Sequence, residues 1–151
     1  MLSRKEAINK IFDKHGDAVY VTNTGYISRA VYNEYPNNKN IFYMQGSMGM
    51  APCIGLGIAM NTDKDIVVLS GDGALLMHLG ITHTIRDEKL NNLFVYVLDN
   101  GCHESVGKYK CSYLENWYSG ITEIIEISND GKTDRVELDC ETNTKQIKEL
   151  F

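Results

Sequence analysis

"VVLSGDGALLMHLG", from Val67 to Gly80, joins a continuous apolar run to an apolar pattern of helical spacing through Gly71-Asp72-Gly73. An apolar run without alternation predicts a strand buried on both faces, as in parallel sheets. A helix follows at once, so the tripeptide lies at the carboxyl end of a parallel strand. Open α/β sheets bind their ligands at that edge. Gly73 lets the backbone come close to a ligand, and the first N–H groups of the helix favour an anion. Asp72 puts a negative charge in the same place. A carboxylate and an anion share a site when a hard cation bridges them, as Mg²⁺ does with one or two protein oxygens plus phosphate oxygens. Taken alone, Gly-Asp-Gly reads as a turn and nothing more.

A second oxygen ligand is expected at the end of a neighbouring strand. "LFVYVLDN" ends in Asp99-Asn100, and Gly101 permits a sharp turn into Cys102. Two strands joined by one crossover helix and lying side by side are about 4.8 Å apart. Asp72 and Asn100 then converge on one ion, with the Cys102 carbonyl as a third ligand.

The same alternation extends outward. Helices are expected over 3–15 (capped by Ser3), 26–35, 49–61, 74–90, 114–120 and 144–151. Strands are expected over 18–23, 40–44, 65–71, 92–100 and 121–128, with "RVELDC" (135–140) as a further strand after the turn "NDGK". This order predicts an α/β fold, a doubly wound, mostly parallel sheet with helices on both faces, in a single domain over 1–151. "GLGIAM" has no third glycine and reads as close helix packing, not as a dinucleotide fingerprint.

The 151 residues are 43% hydrophobic and 23% charged with a net charge of −5, which suits a globular domain and argues against nucleic-acid binding. No apolar stretch approaches membrane-spanning length, and the amphipathic N-terminus is no signal peptide. Cys53, Cys102, Cys111 and Cys140 form no CxxC pair, so free thiols in a reducing cytoplasm are expected.

Gly-Asp-Gly, then 26 residues, then Asn resembles the cofactor signature of thiamine diphosphate enzymes. "VTNTGYISRAVY", "FYMQGSMGMAPCIGLGIAM", "LSGDGALLMHLG" and "LDNGCHESVG" together resemble the diphosphate-binding part of phosphonopyruvate and sulfopyruvate decarboxylases, across residues 1 to 107. The resemblance implies Mg²⁺ ligation by Asp72, Asn100 and the Cys102 carbonyl. It implies a diphosphate cradle of Gly71, Gly73 and Ala74, with Thr24 and Gly25 opposite. Met48 matches the residue that props the cofactor in a bent shape, beside Ser47. The Gly46 carbonyl matches the acceptor that orients the aminopyrimidine.

His103, Glu104 and Ser105 follow the metal ligands in a loop where a substrate would sit. A direct role for His103 and a structural one are both open, and Ser105 is a candidate substrate contact. Arg29 matches an arginine of these decarboxylases and suits an anionic substrate or a partner chain, or is a surface ion pair. Asp99 is expected to cap or support the site, His78 to be half-buried and hydrogen-bonded, and His83 to lie on the surface or an interface.

In the family a pyrimidine-binding domain supplies the glutamate that activates the aminopyrimidine. Nothing in these residues resembles that domain, and the chain opens with its own Met and first helix, as separate β subunits do. The resemblance therefore implies a hetero-oligomer with an α subunit, acting non-oxidatively on a small anionic 2-oxo acid to release CO₂ and an aldehyde. Two features depart from the family: "KYKCSY" stands after Val106-Gly107, and the C-terminal region is short. They leave room for another 2-oxo acid, for carboligation, or for a non-catalytic regulatory subunit that keeps the fold.

Overall fold

The computed structural model describes residues 1–112, 114 and 119–151. Five strands form one parallel sheet: β1 (Val19–Thr22), β2 (Ile41–Tyr43), β3 (Ile66–Gly71), β4 (Leu93–Asp99) and a later strand, Glu123–Glu126. Their order is β2-β1-β3-β4 and then Glu123–Glu126, so β1 and β3 flank the point where the winding reverses. The register sets Thr22 against Leu69 and Gly71 against Leu98. The carboxyl ends of β1, β3 and β4 thereby open onto one edge.

Helices cover both faces. α1 (Arg4–His15) and α2 (Tyr26–Glu34) pack Ile8, Ile11, Phe12 and Val31 against Tyr20, Leu69 and Tyr96. The opposite face takes α3 (Ala51–Ala59), α4 (Asp72–Met77), α5 (Ile81–Glu88) and α6 (Cys140–Lys148), with Leu56, Ile85 and Ile147 on Val68 and Val95. α1 begins with a reciprocal capping box. The Glu6 N–H donates to Ser3 Oγ (3.1 Å), and the Ser3 N–H donates to Glu6 Oε2 (2.8 Å). α3 lies close to the sheet because Gly55 carries no side chain; a Cβ there would meet Val68 Cγ2 at 2.3 Å. Close packing is thus what the small residues of "GLGIAM" serve.

The expected sheet and its two helical layers are present, and three elements differ from expectation. The single helix expected over 74–90 is broken at His78, whose backbone leaves the helical region, and the apolar face shifts there. Leu75 packs with Val97, whereas Ile85 packs with Val95 and Leu93. "RVELDC" is not a strand: residues 129–139 run without regular structure, held by side chains. Arg4 N–H donates to Asp130 Oδ2 (2.5 Å), and Gln45 Nε2 donates to the Leu138 carbonyl (2.6 Å). The last helix therefore starts early, at Cys140, capped by Asp139 accepting from the Thr142 N–H (2.9 Å). The helix expected over 114–120 falls largely on residues 115–118, outside the described set.

After β4 the chain forms a small antiparallel pair, β5 (Cys102–His103) with β6 (Tyr109–Lys110), around a 3-10 turn at Glu104–Val106. The strand Glu123–Glu126 is β7 in chain order. No helix among the described residues is long and apolar enough to cross a membrane.

Candidate functional site

A cleft of about 450 Å³ opens at the carboxyl edge of the sheet, at the β1/β3 switch point. Thr24 reaches it from the end of β1, and Met48 from the loop before α3. Gly71, Asp72, Gly73 and Ala74 line it from the turn between β3 and α4. Asn100, Cys102, His103 and Ser105 close it from the loop after β4. Ten candidate positions from four separated stretches of sequence thus share one cavity.

Gly25 and Arg29 line a neighbouring cleft of about 590 Å³ that shares Thr24 with the first. Arg135 and Gln45 stand in its wall. Arg29 stacks over the Tyr26 ring (5.2 Å) and donates to the Thr133 carbonyl (3.4 Å). Gly46 and Ser47 are exposed and border a third cleft, lined by no carboxylate among the described residues. Ser47 holds a left-handed backbone (φ 53°), uncommon outside glycine.

Glycines at the cleft serve close approach. A Cβ on Gly73 would lie 2.5 Å from His103 Nδ1 and 2.8 Å from Cys111 Sγ. A Cβ on Gly25 would lie 3.3 Å from Ser105 Oγ. The loop after β4 is therefore folded over both glycine turns. His103 packs its half-buried ring against Gly73, directly over the cradle.

Asp72 dominates the electrostatics. It is 3% exposed, and its Oδ2 has no hydrogen-bond partner among the described residues. Burial pushes its carboxyl above the ordinary range, opposed by the Gly73 N–H and reinforced by the Asp99 carboxylate. A buried, half-satisfied carboxylate beside a second acid is a costly arrangement unless a cation joins them. Asn100 Oδ1 accepts from the Cys102 N–H (3.2 Å), and Asp99 Oδ1 accepts from the Gly101 N–H (2.9 Å). Asp99 thus caps the turn. The orphaned oxygen and the all-oxygen donor set fit a hard divalent cation. Burial, then Asp72, pushes the Cys111 thiol up to about 12, which keeps it neutral beside the site.

His78 is exposed on the turn between α4 and α5, not half-buried as expected, because the helix breaks there; His83 is exposed on α5. Residues missed from sequence are Asn23 and Arg4. Asn23 is buried and accepts from the Gly49 N–H (3.1 Å), tying the Met48 loop to the end of β1. Arg4 is 2% exposed and pairs with Glu104. An apolar-faced helix whose first residue is arginine gives a weak signal for the latter.

Residues 21–137 match the family described as "Thiamine pyrophosphate enzyme, C-terminal TPP binding domain". The chain belongs to this family and carries its thiamine diphosphate-binding fold. It is 41% identical over 115 residues to the sulfopyruvate decarboxylase subunit beta of Methanothermobacter thermautotrophicus, covering 76% of this chain and 61% of that protein. It is 38% identical to the corresponding subunit of Methanocaldococcus jannaschii (71% of this chain, 57% of that protein). It is also 44% identical over 91 residues to the phosphonopyruvate decarboxylase of Streptomyces viridochromogenes (60% and 23%). The chain therefore spans about three-fifths of the curated beta subunits it matches. Among solved structures, a provisionally assigned thiamin diphosphate-dependent enzyme from Mycobacterium smegmatis shares the fold, with TM-score 0.63 and 18% identity over 76% of this chain and 24% of that one.

Proposed function

We propose that this chain is the cofactor-binding β subunit of a two-component, cytoplasmic thiamine diphosphate-dependent decarboxylase acting on 3-sulfo- or 3-phosphonopyruvate. The carrying observation is the orphaned, buried Oδ2 of Asp72 in a cleft edged by Gly73 and Asn100. In this reading Asp72, Asn100 and the Cys102 carbonyl hold Mg²⁺. Gly71, Gly73 and Ala74 cradle the diphosphate, with Thr24 and Gly25 closing the other side. Met48 and Ser47 shape the loop beneath the cofactor, and the Gly46 carbonyl accepts a hydrogen bond from its aminopyrimidine. Bound there, thiamine diphosphate supplies the electron sink that a 2-oxo acid needs to lose CO₂.

The chain's own residues orient and bind. Arg29 and Arg135 share one cleft beside Thr24, which suits a substrate with a second anionic group. His103 covers the cradle and Ser105 faces Gly25, so both stand where a substrate would enter. The names of the relatives support the sulfonate or phosphonate class. The activating glutamate comes from a partner chain bearing a pyrimidine-binding domain.

The test is calorimetry of thiamine diphosphate binding with and without Mg²⁺. Wild type is expected to bind only with the divalent ion, and Asp72→Ala to lose most affinity together with that dependence. Unchanged Mg²⁺-dependent binding in Asp72→Ala would remove the metal assignment.

A further inference from the structure

Glu104 follows the proposed cation ligands, yet its carboxylate is not free to work on a substrate. It is 9% exposed and accepts from three donors. Oε1 takes the Gly131 N–H (2.8 Å). Oε2 takes both the Arg4 guanidinium, in a close contact, and Asn100 Nδ2 (3.0 Å). Arg4 is itself buried at the start of α1, and its backbone N–H is held by Asp130. The cluster therefore ties together the first helix, the loop after β4 and the irregular segment after β7.

The consequence falls on Asn100. A carboxamide has one donor end and one acceptor end, which exchange places when the group flips. Glu104 is an acceptor only, so it selects the orientation in which Nδ2 faces it. Oδ1 is then turned away, where it accepts from the Cys102 N–H and keeps a second lone pair. Arg4 in turn holds the Glu104 carboxylate in place. A buried Arg–Glu pair is costly to assemble and is weak evidence for stability alone, so its value is sought in what it orients.

We propose that Glu104, clamped by Arg4 and the Gly131 N–H, is a positioning residue that sets the Asn100 amide with Oδ1 as the cation ligand. This rests on the cation site of the proposed function. Outer partners of this kind typically change metal affinity about 10–100-fold when removed. A pure staple between α1 and the loop would alter folding stability but would not care which end of the Asn100 amide faces Glu104.

The experiment titrates the full chain with Mn²⁺ at saturating thiamine diphosphate, reading free Mn²⁺ by electron paramagnetic resonance. Melting temperature is measured in parallel without cation. Glu104→Gln is expected to raise the Mn²⁺ Kd about 10–100-fold. Asn100→Asp, although a carboxylate is a good ligand, is expected to weaken binding because it faces Glu104 with like charge. Combining Asn100→Asp with Glu104→Gln removes the like-charge contact, reverses the hydrogen bond, and is expected to recover most of the affinity. If Glu104→Gln alone does not fold, Asn100→Asp and the combined variant still decide the matter. Additive losses in the combined variant, or wild-type affinity in the single variants, overturn the positioning role. Asp72→Ala is the control. If it keeps wild-type Mn²⁺ uptake, or if wild type takes up none, the cation reading fails and the proposal with it. If it abolishes uptake while the Glu104 and Asn100 variants do not differ from wild type, only the positioning role fails.

Discussion

At Asp72, the proposed cation-binding role and stability pull in opposite directions. Its carboxyl binds a proton more tightly in the folded chain than in the unfolded one, chiefly through burial. The cation-free chain is therefore most stable below the ordinary carboxyl range. It loses that stability as pH rises from there toward the raised folded-state value. Asp72→Asn keeps the shape and removes the charge. At pH 7 without divalent ions it is expected to be more stable than wild type by roughly 1 kcal/mol, read by urea denaturation. The gain should vanish near pH 3, where the wild-type carboxyl is also neutral. A variant equally stable at both pH values, relative to wild type, would show that Asp72 carries no buried-charge penalty. Met48 gives a second prediction. Met48→Ala is expected to leave thiamine diphosphate affinity nearly unchanged, because the proposed anchor at Asp72 and Gly73 stays, while lowering turnover of the proposed two-chain enzyme. Equal losses in both would count against a shaping role for this side chain.

Among the elements, α3 separates packing from propensity within one helix. Gly55 abuts Val68, whereas a Cβ on Gly57 would meet nothing within 4 Å. Gly55→Ala is expected to destabilise the chain by about 1–3 kcal/mol through overpacking. Gly57→Ala is expected to stabilise it by up to about 1 kcal/mol through helix propensity. Denaturant midpoints of the two variants check this, and a shift in the same direction for both would contradict the packing. The strands and the turn at Gly71–Gly73 were legible in sequence because uninterrupted apolar runs ending in glycine have few other uses. That Asp72 and Asn100 would line one cleft was legible too, since β3 and β4 pair directly and bring their ends together. The break at His78 was not legible: Leu75 and Ile85 fit one helical stripe, and only the sheet shows that they pack in different clusters. "RVELDC" (135–140) alternates like a strand but pairs with no strand, and long-range contacts from Arg4 and Gln45 hold residues 129–139 instead. Such side-chain-to-backbone contacts leave no periodic trace, which is also why the Arg4–Glu104 pair was not foreseen.

For the molecule as a whole, the residues proposed to hold the diphosphate and cation gather in one cleft, while Gly46 and Ser47 border another. Asp72, Gly73 and Asn100 lie in a cleft covered by the loop after β4. Gln45, Gly46 and Ser47 are exposed, and the cleft beside them contains no carboxylate among the described residues. Glu104 cannot fill that place, because its oxygens are taken by Arg4, Asn100 and Gly131. The full chain alone, given Mg²⁺ and thiamine diphosphate, is therefore expected to release no CO₂ from sulfopyruvate or phosphonopyruvate. Adding a chain with a pyrimidine-binding domain is expected to restore release, saturating at a fixed stoichiometry because each site needs both chains. A partner in which the activating glutamate is replaced by glutamine should assemble equally well and restore nothing. Coupled detection of CO₂ alongside sedimentation of the mixture separates assembly from chemistry. Release by the chain alone at a rate that added partner does not change would mean that an acid within these residues activates the cofactor, and the two-component reading would fall.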